Sequence, residues 1–299
     1  MDVDFIRGVV PPVITPVDAQ DRVDEQALRN VVEHVIRGGV HGVFVLGTTG
    51  EFYGLDLEQK RRAIRITLNQ VKGRVPVYAG ASAITTRECA ELAQLAEKEG
   101  AQAVTVLTPM FISPSEEELY QHFATIASST RLPVLLYNNP DRTGINMSAG
   151  LIERLADSPN IVGVKDSSGD FTLMSEYIRR TRGKNFRVMA GRDTLILATL
   201  VYGGYGCVAA TANVAPALVV EIYEKFQAGD LQGALEAQYR LAPLRVAFTL
   251  GTFPVVIKDA LNLVGVFAGD PIKPVGHCTE ANMAKLKGIL ENMGLIGRE

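Results

Sequence analysis

Residues 161–169 read Ile161-Val162-Gly163-Val164-Lys165-Asp166-Ser167-Ser168-Gly169. A short, nearly continuous apolar run of this kind suits a strand covered on both faces, the environment of a parallel sheet. The lysine stands at the end of that run. Charged side chains are seldom buried without a partner, a desolvated amine gives up its proton more readily, and a neutral amine is what attacks a ketone. The competing reading is a strand-end lysine that snorkels outward or pairs with Asp166, and this stretch alone does not separate the two.

Runs of the same type recur on either side: Gly8–Ile14, Gly42–Leu46, Val75–Ala79, Ala103–Leu107, Pro133–Tyr137, Phe186–Met189 and Cys207–Ala210. With Ile161–Val164 they make eight candidate strands. Helical periodicity fills the gaps. Asp24–Ile36 places Ala27, Leu28, Val31, Val32 and Val35 on one stripe, with Asp24 as N-cap and Gly38-Gly39 as a stop. Thr86–Glu99 is closed by Gly100, and Ser115–Ser129 opens with a capping-box pattern, Ser115 followed by Glu116, Glu117 and Glu118. Leu151–Ala156, Leu173–Thr181, Leu195–Tyr202 and Ala217–Phe226 complete the alternation. The unit length and total fit a closed (β/α)8 TIM barrel of the usual ~250 residues better than an open sheet. Beyond it, Leu231–Phe248, Val255–Leu263 and Glu280–Met293 read as helices with no strand between them. The expected organisation is an α/β barrel over 1–228 that carries the active site, and a C-terminal helical extension over 229–299 packed on it rather than an independent domain.

Composition narrows the function. Of 299 residues 47% are hydrophobic and 21% charged, an ordinary globular balance. A net charge of −3 lacks the basic excess of a nucleic-acid binder. No apolar run approaches the roughly 20 residues of a membrane span, and the acidic opening Met1-Asp2-Val3-Asp4 is unlike a signal peptide. Cys89, Cys207 and Cys278 are scattered, which suits reduced thiols in a cytoplasm and small buried hydrophobes rather than catalytic groups. His34, His41, His122 and His277 form no H-x-x-x-H or H-E-x-x-H pair, so no metal site is expected.

In such a barrel the chemistry lies in the loops after the strands. After the second strand, Gly47-Thr48-Thr49-Gly50-Glu51 combines glycines that permit a tight turn with hydroxyls and N–H groups suited to an anion. The bland alternative is an ordinary hydroxyl-rich turn. The fifth strand ends in Tyr137-Asn138-Asn139-Pro140-Asp141-Arg142-Thr143-Gly144, which aims a phenol at the mouth and supplies a guanidinium able to grip a carboxylate through two bonds. Core packing for Tyr137 and a surface ion pair for Arg142 are the alternatives. Gly191 after strand seven and Cys207-Val208-Ala209-Ala210 at strand eight leave room at the mouth.

Taken in order, G-T-T-G-E after strand two, Y-N-x-P-x-R-T-G after strand five and G-x-K-D-x-S-G-D on strand six resemble the dihydrodipicolinate synthase / N-acetylneuraminate lyase family over nearly the whole chain. The resemblance implies a homotetramer of barrels, a dimer of dimers, with no metal or organic cofactor and a small 2-keto acid as substrate. It implies that Lys165 forms an imine with that keto acid and that Tyr137 is the general acid/base. Thr48 and Thr49 are implied to bind the keto-acid carboxylate, with Thr48 relaying protons to Tyr137. Arg142 is implied to hold the carboxylate of the second substrate in the synthase branch, and Gly191 and Val208 to line the site.

The chain departs from that branch at Thr108-Pro109-Met110-Phe111-Ile112. Phe111 stands where the synthase carries a tyrosine that completes a proton relay across a subunit interface, and it has no hydroxyl. Phe52 is also closer to the sugar-acid branches, whereas Arg142 is closer to the synthase. The expected function is therefore a Schiff-base-forming lyase or aldolase acting on pyruvate, a 2-keto-3-deoxy sugar acid or a 4-hydroxy-2-oxo acid. A 4-hydroxy-tetrahydrodipicolinate synthase condensing pyruvate with aspartate semialdehyde is the alternative within the family. A non-catalytic keto-acid-binding or sensor barrel, and a phosphate-dependent isomerase that Asp193 disfavours, are the alternatives outside it. Lys258, which also follows an apolar run, is read as structural because the extension is taken to be the wrong end of the chain for a barrel-mouth nucleophile. Glu51 is read as a candidate to bond its own loop, and Asp166 and Asp170 as loop-orienting.

Overall fold

The computed structural model describes residues 3–297; Met1 and Asp2 of the acidic opening, and Arg298 and Glu299 of the extension, lie outside the described residues. The chain runs β1 (Gly8–Val9), α1 (Glu25–Arg37), β2 (Val43–Val45), α2 (Leu57–Val71), β3 (Val77–Gly80), α3 (Thr86–Glu99), β4 (Ala103–Leu107), α4 (Glu116–Ser128), β5 (Val134–Asn138), α5 (Pro140–Thr143), α6 (Ala149–Leu155), β6 (Ile161–Asp166), α7 (Phe171–Thr181), β7 (Arg187–Ala190), α8 (Ile196–Val201), β8 (Gly206–Cys207) and α9 (Pro216–Gln227). Three helices follow: α10 (Leu231–Ala247), α11 (Val255–Leu263) and α12 (Glu280–Asn292). All neighbouring strands pair in parallel, in the order β1-β8-β7-β6-β5-β4-β3-β2. The two ends of that order meet where Val13 N donates to Phe44 O and Phe44 N to Pro11 O, both at 2.9 Å. The sheet is thereby closed as the expected (β/α)8 barrel.

Local chemistry explains the elements. Asp24 accepts from Ala27 N at 3.0 Å and starts α1, whose buried stripe is the expected Ala27, Leu28, Val31, Val32 and Val35. Ser115 and Glu118 form the reciprocal capping box of α4. The first strand is shorter than expected, because Pro11 and Pro12 have no N–H to donate and only an isolated bridge continues the pairing. The sequence reading has no helix over 57–71. Five charged residues there, Glu58, Lys60, Arg61, Arg62 and Arg65, leave α2 a thin buried stripe of Ala63, Ile64, Ile66, Thr67 and Val71.

Two apolar layers result. Val10, Phe44, Tyr78, Ala103, Leu135, Val162, Met189 and Val208 fill the barrel, while a larger cluster lies between strands and helices. On β6 alternation breaks once: Val134 pairs with Ile161 but Leu135 pairs with Gly163. Simple period-two alternation from the inward Val162 would turn Val164 inward and Lys165 outward. The one-residue irregularity reverses this, so Val164 joins the outer cluster and Lys165 pairs with Tyr137 on the barrel side. Gly163 permits the close approach, since a Cβ there would collide with the Arg187 carbonyl oxygen.

Candidate active site

Lys165 is 3% exposed, and its Nζ lies 4.0 Å from the centroid of the Tyr137 ring and 5.4 Å from that of Phe44. The lysine therefore points into the barrel rather than snorkelling outward. Asp166, the partner weighed for it, is turned away: its carboxylate accepts from Asn138 Nδ2 at 2.8 Å and from Ser168 Oγ at 2.8 Å. Burial raises the Asp166 pKa, against those same hydrogen bonds.

The Tyr137 hydroxyl takes a hydrogen bond from Asn139 Nδ2 at 2.9 Å and lies 3.4 Å from Thr48 Oγ1. Burial pushes this phenol's pKa up. The Lys165 ammonium and hydrogen bonding with Thr48, Lys165 and Ser167 outweigh it, and the pKa lies below the ordinary tyrosine value. The phenol is thus eased toward giving up its proton beside the Lys165 amine.

Thr49, Tyr137, Arg142, Lys165, Gly191 and Val208 line one cavity at the strand ends. Thr48 reaches it through the Tyr137 hydroxyl. Thr48–Gly50 form a short 3₁₀ turn with both threonines buried. The glycines of this loop serve close packing rather than positive φ: a Cβ on Gly50 would lie 2.9 Å from Val13 O, whereas the positive φ angles fall on Leu46 (63°) and Glu51 (51°). Gly191 is similar, since a Cβ there would lie 2.7 Å from Asp166 O.

The cavity also contains residues that the sequence reading does not assign to the site: Asn139, Ser167, Arg192, Arg245, Phe248 and Phe253. The first three adjoin the expected motifs. The last three come from α10 and the segment after it, which corrects the view that the extension is remote from the mouth. Only long-range packing brings them there, so no local sequence signal announces them. Lys258 does not line this cavity; it is the buried ion-pair partner of Glu51.

A profile of the Dihydrodipicolinate synthetase family matches residues 5–293. The chain belongs to this family. It is 40% identical over 293 residues to the 4-hydroxy-tetrahydrodipicolinate synthase of Methanopyrus kandleri, covering 97% of each chain. Among solved structures it is similar to YagE, a prophage protein of the dihydrodipicolinic acid synthase family from E. coli K12 in complex with pyruvate. That match has 33% identity and a TM-score of 0.94 over 97% of this chain and 99% of the other. A monomeric dihydrodipicolinate synthase variant matches with 32% identity and a TM-score of 0.94 over 98% and 99% of the two chains. The protein is an enzyme, a lyase of the class I aldolase type. Among the described residues no helix is long and apolar enough to cross a membrane.

Proposed function

We propose that Lys165 is the residue that forms the imine, on a 2-keto acid that is pyruvate, a 2-keto-3-deoxy sugar acid or a 4-hydroxy-2-oxo acid. The observation that carries this is the amine of Lys165, buried in the family's barrel mouth and 4.0 Å from the Tyr137 ring. Tyr137 as phenolate takes a proton from the Lys165 ammonium, the amine so freed attacks the keto carbon, and Tyr137 returns that proton to the departing hydroxyl as water leaves. Thr48 and Thr49 hold the keto-acid carboxylate, and Thr48 passes protons to and from Tyr137. With the protonated imine as electron sink, a base takes the proton of a C4 hydroxyl and the C3–C4 bond breaks. The electron pair reaches the imine nitrogen as an enamine, and protonation at C3 and hydrolysis release pyruvate. Gly191 and Val208 shape the cavity. Arg142 holds a carboxylate on the departing or incoming fragment.

Condensation of pyruvate with aspartate semialdehyde is the second reading, favoured by Arg142 in the cavity and by the name carried by the Methanopyrus kandleri relative. Against it, Phe111 brings no hydroxyl to the relay position, and a missing acid/base group is typically worth about 10²-fold or more. Phe111 is 94% exposed with a φ of 74°, unusual for a bulky residue. Its exposure supports a homotetramer in which a second subunit covers the ring, and the three free cysteines support a cytoplasmic setting.

Borohydride reduction in the presence of pyruvate, read by intact mass and peptide mapping, tests the central role. A pyruvate-sized adduct on Lys165, absent from Lys165→Ala, is expected. No adduct with pyruvate or with longer 2-keto acids refutes it.

A further inference from the structure

Three guanidiniums line the cavity, those of Arg142, Arg192 and Arg245, and they are not equivalent. Arg192 is already engaged: it pairs with Asp141, and its Nε donates to Ser167 O at 2.9 Å. Arg142 and Arg245 have no such partner, since among the described residues neither has a carboxylate within ion-pair distance. Each instead lies over an aromatic ring, Arg142 over Phe253 at 5.4 Å and Arg245 over Phe248 at 5.2 Å. These two rings meet edge-on with centroids 6.2 Å apart, so one aromatic pair carries both cations.

Arg245 is half-buried in the last turn of α10. Burial draws its pKa down, Asp193 and Asp141 oppose this and Arg192 adds to it, yet a guanidinium stays charged at any ordinary pH. Asp193 does not neutralise it by contact, because its Oδ2 accepts from Thr211 N at 2.7 Å. A partly desolvated cation facing a substrate cavity gains most from an anionic ligand, and its planar fork matches a carboxylate.

We propose that Arg245 is a specificity-determining residue that, with Arg142, binds a carboxylate at the end of the substrate remote from the keto group. Arg245 thereby adds to the site a preference for 2-keto acids that carry a distal carboxylate over those whose chain ends in a methyl group. This rests on imine formation at Lys165.

The test compares borohydride trapping at Lys165 with 2-oxoglutarate and with 2-oxopentanoate, which share a five-carbon chain and differ in the distal carboxylate. In the unaltered protein 2-oxoglutarate is expected to half-saturate trapping at the lower concentration. Arg245→Met, which keeps an apolar stem over Phe248, is expected to reduce that preference about 10- to 100-fold, the loss of one charged hydrogen-bonded contact. Arg245→Lys is expected to retain part of it. No preference in the unaltered protein, or an unchanged ratio in Arg245→Met even if both acids trap more slowly, overturns the proposal. A protein that traps pyruvate but shows no preference sinks this inference alone. Absence of any pyruvate adduct sinks the imine reading and this inference with it.

Discussion

Replacing Lys258 by methionine should destabilise the protein far more than the loss of one hydrogen bond. Lys258 and Glu51 are both fully buried and form an ion pair. Lys258 Nζ also donates to Asp270 O at 2.7 Å, and Ile272 N donates to the other Glu51 oxygen at 2.9 Å. Burial pushes the Lys258 pKa down, and Glu51, Asp270 and Asp21 oppose that shift. Methionine fills the space of the stem but leaves the Glu51 carboxylate in a dry site with the Ile272 N–H as its remaining support. The lost bond to Asp270 O is worth only about 1 kcal/mol. An uncompensated buried charge costs about 3–5 kcal/mol, so the charge decides the outcome. At roughly 2 °C per kcal/mol for a chain of this size, Tm should fall by about 6–10 °C. Adding Glu51→Gln removes the stranded charge while keeping an acceptor for Ile272 N. The double variant should therefore return to within about 1–2 kcal/mol of the parent. Because Glu51 directly follows Thr48–Gly50, Lys258→Met should also raise KM for pyruvate more than it lowers kcat. Thermal and urea unfolding of the two single variants and the double variant give the coupling energy. A loss under about 1 kcal/mol in Lys258→Met, or a double variant as poor as the sum of the singles, would refute the reasoning.

Two further substitutions probe separate links. Tyr137→Phe should reduce kcat by about 10²- to 10⁴-fold while a pyruvate adduct still forms slowly on Lys165; retention of most of the turnover would remove Tyr137 from the proton transfers. His122 is buried, and burial pushes its pKa down to about 4 from 6.5. The folded protein then binds fewer protons than the unfolded chain between those pH values. Its contribution to stability is complete above about pH 6.5 and is lost as the pH falls toward 4, a span worth about 3 kcal/mol. His122→Gln should flatten that part of the stability–pH curve in urea titrations at pH 7 and pH 4.5, and an unchanged slope would assign it to other groups.

How far the sequence alone leads depends on the range of the interaction concerned. The strands of the barrel announce themselves because a parallel sheet covered on both faces needs continuous apolar runs, and Ala103–Leu107 is such a run from end to end. Helix starts are equally local: Asp24 and Ser115 cap through bonds that span three residues. The helix α2 escapes because its surface is so heavily charged that five buried positions are hard to see as a stripe. Tyr137 and Lys165 stand out as strand-end residues, but their pairing requires the break in alternation at Val162, which no count of apolar residues reveals.

The extension is where local reasoning fails, and the reason is physical rather than a matter of weak signals. Val255-Val256-Ile257-Lys258 reads as an apolar helix turn ending in a lysine, and a lysine there has many bland explanations. Only the closed barrel shows that the partner is Glu51, distant in the chain and held in the left-handed region at the end of the threonine turn. A buried pair of this kind adds little net stability over an apolar pair of the same volume, so packing alone does not account for it. Together with the Ile272 N–H bond to Glu51 and the contact of Ile272 with Gly54, it ties both ends of the 51–54 segment to the extension. The same extension supplies Arg245, Phe248 and Phe253 to the cavity. The barrel presents the amine and the phenol, and the helices after it fix the loop beside them and complete the cavity wall, so substitutions in 229–299 should change substrate preference as readily as substitutions in the barrel loops.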